Sequence, residues 1–187
     1  MTNASPLKVG RDVPWVTSWS HEVQTGVAPC ASVDGQLAIG QGERPGVGQP
    51  LYSENHLFRQ RRSVREMLCP MCGKPTEADD RWSQTAQPTT AGALRSRGLG
   101  QALPADMADD QPLLNNGAIA PLHRACAETA LARCPHLGGR DDKTLKRFPG
   151  AWIIIPLWVE ATTPGPRRKS VPVVSFLQLV GVESTGI

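Results

Sequence analysis

Four residues constrain this chain more than any others: Cys69 and Cys72 in the run Cys-Pro-Met-Cys-Gly, and His123 and Cys126 in His-Arg-Ala-Cys. Each pair has two residues between its members. Pro70 and Gly73 favour a tight knuckle that aims both sulfurs at one point, and the i,i+3 spacing sets His123 and Cys126 on one face of a helix's first turn. Zinc takes four soft or borderline donors in a tetrahedron, and structural sites are assembled from two such pairs brought together by the fold. The spacing predicts a structural Zn²⁺ at Cys69, Cys72, His123 and Cys126. The competing reading has His123 capping the helix or bonding in the core, with Cys126 packed as a small hydrophobe.

The chain has five cysteines, an odd total that, with the Cys-x-x-Cys pair and its histidine partner, argues against a disulfide framework and for a reducing compartment. Cys134 and His136, in Cys-Pro-His-Leu, are an alternative source of a ligand in place of His123, or a second site. Cys134 lies about 12 Å along the helix axis from Cys126, which favours packing for it and a helix C-terminal cap for His136. Cys30, after Pro29, is expected to be a free thiol.

At 187 residues, with 18 Gly and 17 Pro, the chain predicts one domain with many turns around a modest core. Residues 1–14 are polar and predict a flexible N-terminal arm, leaving 15–187 as a single zinc-stabilised domain. Short strands are expected at Val13–Trp19 and Gly35–Gly40, and a helix capped near Ser53–Asn55 running to about Leu68. Residues 74–120 show little periodicity. They predict a short hairpin after the knuckle, then a mobile or partner-ordered insert over 85–116 carrying Asp106, Asp109 and Asp110. A second main helix should span about 121–133 and end at Pro135. The apolar runs Trp152–Val159 and Val171–Val180 predict a C-terminal β-hairpin over 151–182, with Pro156 and Pro172 at an edge or bulge. The fold class expected is α+β, with short β-strands and two main helices around the zinc site.

A knuckle, a hairpin and a helix whose first turn donates the second pair resembles the treble-clef layout, over Leu68–Cys134. More broadly, Val-Pro-Trp-Val-Thr-Ser-Trp, Leu-Cys-Pro-Met-Cys-Gly-Lys-Pro and Pro-Leu-His-Arg-Ala-Cys-Ala through Cys-Pro-His-Leu resemble a family of uncharacterised bacterial and phage-borne proteins, over about residues 13–137. The resemblance implies a metal-stabilised fold and a phage or mobile-element setting, and no activity.

No stretch approaches the roughly 20 apolar residues of a membrane span, and the N-terminus lacks a basic-then-apolar signal pattern, so a cytoplasmic protein of a bacterial host cell is expected. The net charge of +3 is too small to define a nucleic-acid binder. Its distribution is uneven, with Arg59, Arg61, Arg62 and Arg65 ahead of the knuckle and Arg167, Arg168 and Lys169 in a late loop. These are the candidate anion or nucleic-acid contacts, against the plainer reading of solvated faces. Three functions remain: a non-catalytic binding protein with a protein or nucleic-acid partner, a degenerate HNH-like metal-dependent nuclease, and a structural subunit of a larger assembly. The nuclease needs a catalytic His on the strand after the knuckle, where neither His21 nor His56 lies, and an open metal position, which four protein ligands would not leave.

Overall fold

The computed structural model describes residues 4–134, 144–162 and 169–183. In chain order the first elements are β1 (Thr17–Trp19), β2 (Gln24–Pro29), β3 (Leu37–Gln41), β4 (Pro50–Asn55) and α1 (Leu57–Arg65). The middle holds β5 (Trp82–Ser83), β6 (Gln87–Thr90), α2 (Ala91–Ser96), β7 (Pro112–Gly117) and α3 (Arg124–Arg133). β8 (Lys146–Arg147), β9 (Ala151–Thr162) and β10 (Ser170–Val182) complete the α+β architecture.

The expected C-terminal hairpin is the spine of the main sheet. β10 pairs antiparallel with β9 from Ser170↔Thr162 to Val182↔Ala151, with a bulge between Val174 and Phe176. Its other edge is shared: β3 meets it in parallel at Val174, and β7 runs antiparallel from Leu179 to Val182. β2 extends the sheet beyond β3 and β6 extends it beyond β7. Pro156 falls on β9, whose described strand partner is β10 alone, so its missing N–H sits where the ladder tolerates it.

Between β3 and β7 the edge of β10 would be left bare, and α1 fills it. Gln60 accepts from Leu177 N (3.0 Å) and donates to Leu177 O (2.7 Å) and Ala118 O (2.9 Å), acting as a one-residue strand. Arg61 donates to Ser175 O and Ile39 O, both at 2.9 Å. Buried backbone groups without partners are costly, so these two side chains substitute for the ladder at the split.

Both faces of the sheet are covered. On one face Trp152, Ile154, Leu177 and Leu179 pack with Val64 and Met67; on the other, Ile153, Ile155 and Val180 pack with Leu94, Leu103 and Leu113. Two-sided burial is why Trp152–Ile155 is a continuous apolar run rather than an alternating one.

This corrects the expectation for 85–116. The segment is no excursion: it supplies β6, α2 and most of β7, and it covers the second face with Leu94 and Leu113 fully buried. α2 also raises the helix count above the two expected. The arm is corrected as well over its described part: Ala4 bridges Val47, Ser5 N donates to Gly46 O (2.8 Å), and Val13 is wholly buried. The helix cap shifts from Ser53–Asn55, which belong to β4, to His56, whose ring accepts from Arg59 N.

Candidate metal centre

The knuckle is built by local backbone bonds. Cys69 N donates to Lys74 O and Gly73 N to Cys69 O, both at 2.8 Å, while Leu68 bridges Pro75. Gly73 adopts φ +74°, and a Cβ there would meet the Trp15 ring at 2.8 Å, so both the turn and the packing require glycine. Trp15 N and Val16 N in turn bond Met71 O (2.8 Å) and Pro70 O (3.1 Å), clamping the N-terminal segment across the turn.

The second pair arrives on α3. His123 is its N-cap residue, and the Asp80 carboxylate accepts from Arg124 N (2.8 Å), relieving one of the free amides of the first turn. Leu122 and Trp82 exchange backbone bonds at 2.8 and 2.9 Å, and Arg124 stacks over the Trp82 ring at 5.1 Å. These contacts carry the helix start to the knuckle from the far end of the intervening segment.

The result is one cluster. The ligand atoms of Cys69, Cys72, His123 and Cys126 all lie within 4.8 Å of one another. His123 Nδ1 is 3.4 Å from Cys72 Sγ and 4.0 Å from Cys126 Sγ. Its other nitrogen, Nε2, donates to Pro75 O at 2.9 Å. That bond fixes the tautomer and leaves the Nδ1 lone pair facing the sulfurs, the arrangement a metal-bound imidazole uses.

Electrostatics inside the cluster disfavour thiolates unless a cation is bound. Burial pushes the Cys126 thiol up, and the neighbouring Cys69 and Cys72 sulfurs push it further, to about 12. Burial raises Cys69 also, although the amides of Cys72, His123 and Met71 point at its sulfur and work in the opposite direction. Without a cation the thiolates repel one another; a bound divalent ion reverses that and deprotonates them. Three sulfurs and one imidazole therefore form a site consistent with a metal.

The other candidates stand apart from it. Cys134, the C-cap of α3, is half-buried and not part of the cluster. His136, Arg167 and Arg168 lie outside the described residues, and Lys169 is exposed beside the start of β10. The arginine cluster is not a surface face. Arg59 and Arg61 are each 1% exposed. Arg59 binds both carboxylate oxygens of Glu22, at 2.7 and 2.8 Å, and Arg61 serves the split sheet edge. Arg62 pairs with Glu66 (2.8 Å) and Arg65 with Asp34. Nothing local in the sequence marked Glu22, 37 positions from Arg59, as the partner.

The four side chains make a Cys₃His cluster consistent with a metal centre on an α+β fold, drawn from a knuckle and a helix N-terminus. Comparison with protein-family models, curated proteins and solved structures gives no match for the chain. No described helix is long and apolar enough to cross a membrane.

Proposed function

We propose that this chain is a zinc-stabilised binding protein with no catalysis of its own, of phage or mobile-element origin, which engages a protein partner. Three thiolates and one imidazole in a tetrahedron suit zinc best among the common metals. Zn–S bonds of about 2.3 Å and a Zn–N bond of about 2.0–2.1 Å put sulfur and nitrogen about 3.5 Å apart in a tetrahedron. The two S···N separations here, 3.4 and 4.0 Å, bracket that value. A knuckle and a helix whose first turn gives the second pair support the treble-clef comparison.

The observation that carries the non-catalytic reading is the closed donor set. With four side chains converging on one point, a zinc ion has no position left for water or substrate, and its role is to hold the N-terminal segment, knuckle and α3 together. The same feature disfavours the nuclease reading, as does the placement of the histidines. His56 is fully buried as a helix cap, and His21 is on the surface beside Ser20.

Protein is favoured over nucleic acid as partner by where the charge and the apolar surface fall. Arg59 and Arg61 are buried, and Arg62 and Arg65 are held by carboxylates, so the basic cluster offers little to phosphates. The β9 edge instead exposes Trp158 (47%) and Val159 (40%). Aromatic and apolar side chains on a strand whose outer edge meets no other strand among the described residues suit protein contacts. The test combines cleavage and retention assays on DNA and RNA, with Mg²⁺ and Mn²⁺, and affinity purification of the wild type and Trp158→Lys from host cells. The reading expects no cleavage, no salt-sensitive retention, and a defined co-purifying protein lost in Trp158→Lys while the metal content stays. Chelator-sensitive cleavage abolished by His21→Ala would overturn it in favour of the nuclease.

A further inference from the structure

Arg61 is a cation in the middle of the fold with no carboxylate to answer it among the described residues. Its guanidinium donates to Ser175 O and Ile39 O at 2.9 Å and to Ser32 Oγ at 3.1 Å. Those oxygens satisfy N–H groups but leave the charge uncompensated, and a buried charge without a counter-ion is costly. Neighbouring Arg59 shows the usual solution in its pair with Glu22.

No carboxylate plays that part for Arg61 among the described residues. β2, β3 and β10, which pack around it, carry no Asp or Glu. Asp34, just beyond the 3₁₀ turn Ala31–Val33, is bound to Arg65, and Glu66 at the end of α1 is bound to Arg62. Glu160 of β9 accepts from Ser170. The remaining charges of α1 are positive, and His56 faces Gly42 and the Arg59 amide. The group that can supply the negative charge is Cys30, whose Sγ lies 3.9 Å from an Arg61 terminal nitrogen.

Ser32 completes the arrangement. Arg61 Nε–H donates to Ser32 Oγ, so the hydroxyl hydrogen is free to turn to Cys30 Sγ, 3.1 Å away. The Ser32 amide is directed at the same sulfur. Three donors converging on one sulfur match a thiolate, which accepts from all of them, better than a thiol. Burial pushes the Cys30 thiol up, but the Ser32 hydroxyl and amide together with Arg61 outweigh it and hold it below the ordinary value.

We propose that Cys30 is the anionic partner of Arg61, and that the Cys30–Ser32–Arg61 cluster is a modification site for small electrophiles, hydroperoxides in particular. Thiolates beside a guanidinium and within reach of solvent are the reactive cysteines of proteins. Cys30 is only half-buried, at the end of β2, with Pro29 and Ala31 exposed on either side. With hydrogen peroxide, the sulfur lone pair attacks one oxygen, the S–O bond forms and the O–O bond breaks. Sulfur is oxidised to a sulfenic acid, and the other oxygen leaves as hydroxide, which takes a proton from solvent to become water. Arg61 stays in place throughout and stabilises the attacking charge.

Cys134 is an internal reference, half-buried and without a guanidinium contact among the described residues. The full-length, metal-loaded protein is treated with limiting iodoacetamide from pH 5.5 to 9.5, and peptide mass spectrometry reads both sites in the same sample. The expected result is a midpoint for Cys30 labelling below that of Cys134, moved upward in Ser32→Ala, which disturbs no packing volume of note. Hydrogen peroxide followed by dimedone should then tag Cys30 and leave Cys134 untagged. A Cys30 midpoint at or above that of Cys134, or labelling of Cys134 alone, overturns the proposal, and an unmoved midpoint in Ser32→Ala overturns the part given to the hydroxyl.

Discussion

Glu22→Gln is expected to be among the most damaging isosteric changes in this protein. The carboxylate is buried, and each oxygen accepts twice: one from Arg44 N (2.9 Å) and Arg59 (2.7 Å), the other from Trp19 N and Arg59, both at 2.8 Å. The amide turns one acceptor oxygen into a donor that faces two N–H groups, and it leaves the 1%-exposed Arg59 without its counter-ion. Arg59 keeps its bond to Thr17 O (2.8 Å), which carries no charge, and its Nε has no partner among the described residues. Two lost hydrogen bonds to a charged group at about 1.5–3 kcal/mol each come to about 3–6 kcal/mol. Breaking a buried pair from one side costs about 3–5 kcal/mol. The two estimates agree. Against a total stability on the order of 5–15 kcal/mol, and at about 2–4 °C per kcal/mol for a chain of this size, Tm should fall by about 6–20 °C. Thermal and urea denaturation at pH 7 followed by circular dichroism measures this. Glu22→Gln/Arg59→Met should recover part of the loss, because the stranded charge is gone. A loss below about 1 kcal/mol in Glu22→Gln would refute the argument that this pair is a buried linchpin.

Three further outcomes follow from the fold. Leu94→Ala should cost about 3 kcal/mol by chemical denaturation, as for other fully buried leucines, whereas a mobile insert would show no loss. Gln60→Leu should cost about 2–4 kcal/mol, because it strands the N–H and C=O of Leu177 at the split in the sheet edge; a neutral effect would contradict the strand-like role of that amide. Stability should also fall as pH is lowered from 7 to 4. Burial and the Arg59 charge depress His56, so its contribution is fully present above its unfolded value of about 6.5 and is lost as pH drops below it. Burial pulls Glu22 up, but the bonds from Arg59, Arg44 and Trp19 outweigh it and leave the carboxyl depressed, so its contribution is lost below about pH 4.3. Urea midpoints across this range check the sign, and in His56→Asn the decline between pH 7 and 5 should flatten.

The features legible in the sequence were those whose signal is local. Two Cys/His pairs with two intervening residues announced the cluster, and Pro121 to Pro135 framed α3 closely. The apolar runs of β9 and β10 announced their own pairing. What failed was everything decided at long range. The segment 85–116 has no usable periodicity because α2 has only six residues and β7, Pro-Leu-Leu-Asn-Asn-Gly, ends in turn-forming residues. Its burial depends on a sheet face formed by β9 and β10 much later in the chain. The arginines of α1 looked like a basic face because Arg59 finds its counter-ion in Glu22 on a preceding loop, and Arg61 finds its carbonyls on β3 and β10. The polar N-terminal segment gave no sign that Trp15 would lie over Gly73 and tie that segment to the knuckle.

Metal analysis of the purified chain tests the central claim most directly, by elemental mass spectrometry on the wild type and on Cys72→Ser, His123→Ala and Cys134→Ser. The account predicts one zinc per chain in the wild type and in Cys134→Ser, with zinc lost or sharply reduced in Cys72→Ser and His123→Ala. A wild-type chain that folds without metal, or one whose zinc depends on Cys134 rather than His123, would contradict it.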